Sequence, residues 1–255
     1  MAKIIDLSKT IEHNPKDPWF MRIKIKHFSH QRSHWLIRLF LGLPKRLFPK
    51  NFIGWADDKI VSMGVHASTH IDAPWHYSPI CEGKKAKTID EIPLEWCYGN
   101  GIVLDMSHKK DLEIISLEDI QNELHRIDAQ IEPNTIVLIR TDRDQFSGTP
   151  EYPNKGTGMS AEATKWLIQQ GVKVMGIDQW GFDLPLKHQV QKAKETNNNE
   201  VFWEAHLVGQ EHEYCHIEQL VNLKQLPSKG FKVAVFPLKI KNASAAPARV
   251  VAIMD

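Results

Sequence analysis

Apolar positions along the chain fall into short β-branched runs separated by longer mixed stretches. IIDLS (4–8), GIVLDM (101–106), TIVLIRT (135–141), VKVMGID (172–178), FKVAVFPLKI (231–240) and ARVVAIMD (248–255) have the length and residue types of strands. Between some of them the period lengthens to that of helices. Ser116, with Asp119 three residues on, marks the start of a helix over LEDIQNELHRI, and Ser160 precedes AEATKWLIQQ, which stops at Gly171. Strands alternating with helices over one hydrophobic composition predict a single α/β or α+β domain spanning 1–255, without internal repeats. The segments 144–158, dense in Gly and Pro, and 187–200, polar with an asparagine run, read as loops.

Residues 21–50 break this pattern. They hold eight Lys or Arg and no Asp or Glu, with Trp35, Leu36, Leu39 and Phe40 spaced as one helix face. A basic amphipathic insertion of this kind can lie on a membrane or meet a protein surface. Pro44 and Pro49 keep its helix short, which favours a lid or a subunit contact.

Composition mainly excludes. At 255 residues and 42% hydrophobic content the chain can bury a full core, and a formal charge of +1 gives no global pull toward nucleic acid or anionic lipid. No window approaches eighteen uninterrupted apolar residues, so no membrane span is expected. Cys81, Cys97 and Cys215 form an odd set without CxxC spacing, and MAKIIDLSKT lacks the apolar run of a signal peptide. Together these predict a soluble protein of the reducing cytoplasm.

The chemistry concentrates in HASTHIDAPWH, residues 66–76. His66, His70, Asp72 and His76 are separated by even intervals, so an extended chain would turn them to one face, whereas a helix would swing Asp72 away from His70. Fully extended, His66 to Asp72 would cover roughly 20 Å, too far for one ion, so the chain must bend, near Ala67-Ser68. Pro74 then ends regular pairing. Imidazole nitrogens with a carboxylate suit borderline divalent metals such as Zn2+ and Mn2+. A second candidate, His212-Glu213-Tyr214-Cys215-His216, spells HExxH. A zincin needs a third ligand downstream, yet after Glu218 there is no His and no acidic residue before Asp255. The motif reads as coincidental, with His212 and His216 at the surface or behind other ligands. Cys81 reads as an ordinary thiol.

HASTHIDAPWH resembles the HxGTHxDxPxH signature of the cyclase family of metal-dependent hydrolases, which includes bacterial kynurenine formamidases and isatin hydrolases. IIDLS, MSAEATKWLIQQGVKVMGIDQWGFD, HIEQLVNLKQL and FKVAVFPLKIKNASAAPARVVAI resemble family segments in the same order; roughly 10–60 and 185–203 do not. The resemblance implies a domain of the swivelling β/β/α type, with a mixed central sheet and flanking helices. It implies metal ligation by His66, His70 and Asp72, proton transfer by His76, and completion of a site for one or two ions by His206 and Glu218. It also implies a homodimer or homotetramer acting on a small molecule. Ser68 departs from the family glycine.

A metal ion that lowers the pKa of bound water from about 15.7 toward about 7 makes hydroxide available for attack on an acyl carbon. The expected activity is therefore hydrolysis of a carbon–nitrogen amide bond, of the arylformamidase type. Ring opening of a cyclic amide or lactone, and a silent metal-binding homologue, are the alternatives. Trp75, Trp180 and Phe182 are candidate flat contacts for an aromatic substrate.

Overall fold

The β-branched runs assemble one sheet. In the computed structural model, which describes residues 2–17 and 19–254, its strands are β1 (Lys3–Asp6), β2 (His70–Asp72), β3 (Tyr98–Asp105), β4 (Ile136–Arg140), β5 (Val174–Ile177), β6 (Cys215–Glu218), β7 (Phe231–Pro237) and β8 (Ala245–Met254). Asp255, the last residue of the predicted final strand, lies outside the described residues. The spatial order is β1-β8-β7-β3-β4-β5-β6-β2, and β2 also pairs with β8, so seven strands close into a barrel with β1 appended at β8. Neighbours from β3 to β6 are parallel, and every other pairing is antiparallel.

Parallel neighbours require crossovers, and helices provide them: Leu117–Arg126 between β3 and β4, and Ala161–Gln169 between β4 and β5. Both begin where the sequence signals them. Ser116 Oγ accepts from Asp119 N at 3.2 Å while Asp119 Oδ2 accepts from Ser116 N at 2.8 Å, and Ser160 Oγ accepts from Ala163 N at 3.1 Å. Caps of this kind contribute about 1 kcal/mol each. Gly171 closes the second helix at φ +94°.

Two apolar layers follow from strand alternation. Ile71, Val103, Leu138, Ile217, Val233 and Val250 fill the barrel, while Leu104, Val137, Ile139 and Met175 face outward under Ile120, Leu124, Ala163 and Leu167 of the helices.

The segment 187–200 is not a loop. Leu186–Thr196 is a helix, stopped by Asn197 at φ 47°. Its polarity misleads because Gln189 is its one buried residue among those described.

The chain divides into two compact units, Met1–Thr10 with Val65–Asp255, and Ile11–Gly64. The second holds a hairpin of Lys24–Phe28 with Asp57–Ser62, and a helix, His30–Phe40. Ser33 is the one residue of that helix described as buried; its hydroxyl accepts from Trp55 N at 2.7 Å. Trp35, Leu39, Phe40 and Leu41 are exposed. No helix among the described residues is long and apolar enough to cross a membrane.

Candidate metal centre

The site grows from one antiparallel strand pair. In the β2–β6 register Asp72 lies opposite His216 and His70 opposite Glu218. Because Ile71 and Ile217 point into the barrel, all four polar side chains emerge together on its outer face, buried. On the other side of β2 stand the small or ring-closed Ala245 and Pro247.

The flanks bend as the spacing requires. Ser68 adopts φ 61°, and its carbonyl accepts from His70 Nδ1 at 2.8 Å. With the Nδ1 hydrogen given to Ser68 O, the ring turns Nε2 toward the carboxylates, 3.3 Å from Asp72 Oδ1 and 3.6 Å from Glu218 Oε2. Pro74 opens a single helical turn, Pro74–Tyr77, which carries His76 back over Asp72, with Nε2 3.7 Å from Oδ2. His66 Nδ1 lies 2.8 Å from Asp72 Oδ1, and its Nε2 meets Ser244 Oγ at 3.0 Å. His206, from the turn Glu204–Leu207, brings Nε2 to 3.8 Å from Glu218 Oε1. Its Nδ1 is held by Asp183 Oδ2, while Asp183 Oδ1 accepts from Ala205 N at 2.9 Å.

Two ligand groups result, Asp72, His206, His216 and Glu218, all buried, and His66, Asp72 and His76, with half-buried histidines; within each, the ligand atoms lie within 4.8 Å of one another. The residues fit a divalent ion. His70 Nε2, His216 Nε2 and both Asp72 oxygens are buried without a hydrogen bond of acceptable geometry, although they crowd one another. Such orphans are costly unless a cation lies among them. Ionisation points the same way. Burial opposes the Asp72 charge, yet His70, His216 and His66 together hold its carboxyl well below the usual range. Burial would lower His216, but Asp72 and Glu218 outweigh it and raise it to about 9. Two buried carboxylates call for positive charge, which protons supply where a metal does not.

His76 behaves differently. Burial pushes it down to about 4 against the pull of Asp72, so the ring is neutral at neutral pH and can accept a proton. Cys81, also raised by burial, to about 11, is a protonated thiol.

The structure thus brings together His66, His70, Asp72, His76, His206 and Glu218. Of the two places expected for His216, at the surface or behind other ligands, it excludes the surface: the residue is fully buried, with Nε2 against the carboxylates. HEYCH does not form a helix: Cys215–Glu218 is a strand, so His212 and His216 cannot share a zincin face. Among the aromatic candidates, Trp75 is partly exposed beside His76, Trp180 meets Tyr152 edge-on at 5.7 Å, and Phe182 is fully buried, stacked on His216 at 4.6 Å. Sequence reasoning missed Trp203, in a segment without family likeness. Its ring stacks on His206 at 4.4 Å and meets His76 edge-on at 5.3 Å, with a backbone φ of 60° that is rare for so bulky a residue.

A closed mixed barrel with a histidine–carboxylate centre on its outer face defines a class, and a family model agrees: the one described as "Putative cyclase" matches residues 5–184. The chain belongs to this cyclase family. Among curated relatives it is similar to the kynurenine formamidase of Bacillus cereus, 25% identical over 209 residues that span 80% of this chain and 83% of that one. The kynurenine formamidase of Geobacillus thermodenitrificans is 27% identical over 189 residues, spanning 74% and 76%. Among solved structures, isatin hydrolase A from Labrenzia aggregata, bound to benzyl benzoate, superposes with a TM-score of 0.74 at 26% identity, covering 99% of this chain and 94% of the other.

Proposed function

We propose that this chain is a metal-dependent hydrolase that cleaves the carbon–nitrogen amide bond of a small aromatic substrate, of the N-formylkynurenine type. The observation that carries the reading is the convergence of buried, unpartnered ligand atoms from β2 and β6. His66, His70, Asp72, His206 and Glu218 would hold one or two ions, Zn2+ or Mn2+. Bound there, the ion supplies Lewis acidity, acidifying water and polarising the acyl carbonyl.

The chain's own groups do the rest. His70 and His206 are pre-oriented by Ser68 O and the Asp183 carboxylate, so their Nε2 atoms face the centre. His76 Nε2, at the accessible side, takes a proton from the attacking water and delivers it to the leaving nitrogen as the carbon–nitrogen bond breaks. The partly exposed face of Trp203 offers flat apolar contact beside His76. The reading includes a cytoplasmic homodimer or homotetramer.

One observation favours a second reading, ring opening of a cyclic amide: the likeness to isatin hydrolase A extends over 99% of the chain. A catalytically silent homologue is the third reading; Ser68, its one hint, takes a positive φ of the kind glycine favours and keeps its carbonyl on His70. Purified protein should contain Zn2+ or Mn2+ and hydrolyse N-formylkynurenine, with activity lost to a chelator and restored by the ion. Preference for isatin selects the second reading. Metal-loaded protein inert toward both rejects the proposal.

A further inference from the structure

His216 stands outside the ligand set implied by family resemblance, yet it is the most enclosed imidazole of the cluster. Its side chain has no exposed surface, and Nε2 lies 3.1 Å from Asp72 Oδ2 and 3.4 Å from Glu218 Oε1. The other nitrogen reveals the tautomer. Tyr214 Oη donates its single proton to Ala205 O at 3.0 Å, so at 3.3 Å from His216 Nδ1 it serves as the acceptor. Nδ1 therefore carries a hydrogen, and Nε2 is the nitrogen directed at two carboxylates, where either an ion or a second proton can sit. That pairing lacks hydrogen-bond geometry. The ring cannot turn away, because Phe182 stacks on it at 4.6 Å and 8°, Tyr77 covers it at 5.1 Å, and its backbone N–H donates to Tyr77 Oη at 3.1 Å.

We propose that His216 is a metal ligand and that, with Asp72, His206 and Glu218, it forms a buried cation site beside the accessible one that His66 and His70 would complete through the shared Asp72. The proposal rests on the metal-dependent reading above. The ligand atoms of the four residues lie within 4.8 Å of one another and all four side chains are buried. Two imidazoles and two carboxylates suit Zn2+ or Co2+ better than Mg2+ or Ca2+. Four protein ligands without an exposed face make a closed site that holds its ion tightly, whereas the group around His66 and His76 leaves room for solvent and substrate. The two ions are then unequal. The buried one organises β2 against β6, and the accessible one exchanges.

The competing arrangement has a proton instead of an ion, with His216 as an imidazolium between the two carboxylates. Metal-free protein titrated with Zn2+ and with Co2+ distinguishes them. The wild type should take up two equivalents, one removed quickly by a mild chelator and one slowly, while His216→Gln should lose the slow equivalent and retain the fast one. Should the variant fail to fold, nitrogen NMR of the Zn2+-loaded wild type, with His216 assigned through its contacts to Phe182, should show a metal-bound Nε2 and a protonated Nδ1. Unchanged stoichiometry and exchange in the variant, or a doubly protonated ring in the loaded wild type, overturns this proposal while leaving the hydrolase reading intact. A wild type that takes up no ion overturns both.

Discussion

The two halves of the histidine–carboxylate cluster share Asp72 but are built differently. The deep half comes from cross-strand neighbours in β2 and β6 with His206 added from the turn Glu204–Leu207, and each imidazole there has its second nitrogen held, by Ser68 O for His70, Tyr214 Oη for His216 and Asp183 for His206. The outer half comes from irregular chain on either side of β2, with His66 before the bend at Ser68 and His76 on the single turn after Pro74. Side chains of the outer histidines keep 28% and 22% of their surface exposed, against 1% for His70 and none for His216. Strand pairing fixes ligand positions at the cost of access; the loops provide access and the freedom to move a proton. On the function proposed above, the deep half would hold an ion firmly, while in the outer half His66 would reach the ion from the accessible side and His76 would move the proton.

The largest test of that division is His76→Ala. If the outer half moves protons, turnover should fall by about 10² to 10⁴-fold, while metal content, measured by elemental analysis, stays at the wild-type value. Loss of metal together with activity would make His76 a ligand and dissolve the distinction between the halves.

Asp183→Asn probes the deep half from behind. Asp183 accepts from the backbone of Ala205 and from both the backbone and ring of His206. An amide places an N–H against one of these donors, loosening the ring. Affinity for Zn2+, read by competition with a chelator, should fall by about 10- to 100-fold, with the rate per loaded chain nearly unchanged. A lowered rate at full occupancy would mean that His206 serves the outer half as well.

The same contrast explains what could be read from sequence. Residues 66–76 were legible because His70 and Asp72 keep their alternation in β2 while Ser68 and Pro74 mark the bends that bring His66 and His76 back, and the major strands were legible because their apolar runs are continuous. His216 and Glu218 show the same two-residue spacing as His70 and Asp72, but the HExxH pattern suggested a helix and hid it. Asp183 reaches His206 across 23 positions, and Trp203 meets the site through a strained turn in polar sequence. Neither leaves a local signature. The helix Leu186–Thr196 was invisible for a related reason: Gln189 is its one buried residue among those described, too little to impose an apolar period.

The smallest effect expected lies at the joint between the halves. Ser68 holds φ 61°, a left-handed conformation that costs an L-residue about 1–2 kcal/mol. Its hydroxyl returns little, reaching Lys9 O only at 3.4 Å. Ser68→Gly removes the strain but admits more freedom in the unfolded chain, worth roughly 0.5–1 kcal/mol in the other direction. The net should be a stabilisation of at most about 1 kcal/mol, a rise in Tm of about 2–4 °C at the upper limit for a chain of this size. Zn2+ affinity should not change, because the bond from His70 Nδ1 goes to the Ser68 carbonyl, which glycine retains. A fall in Tm or in affinity would show that the serine side chain itself secures the bend, so that the joint depends on more than backbone geometry.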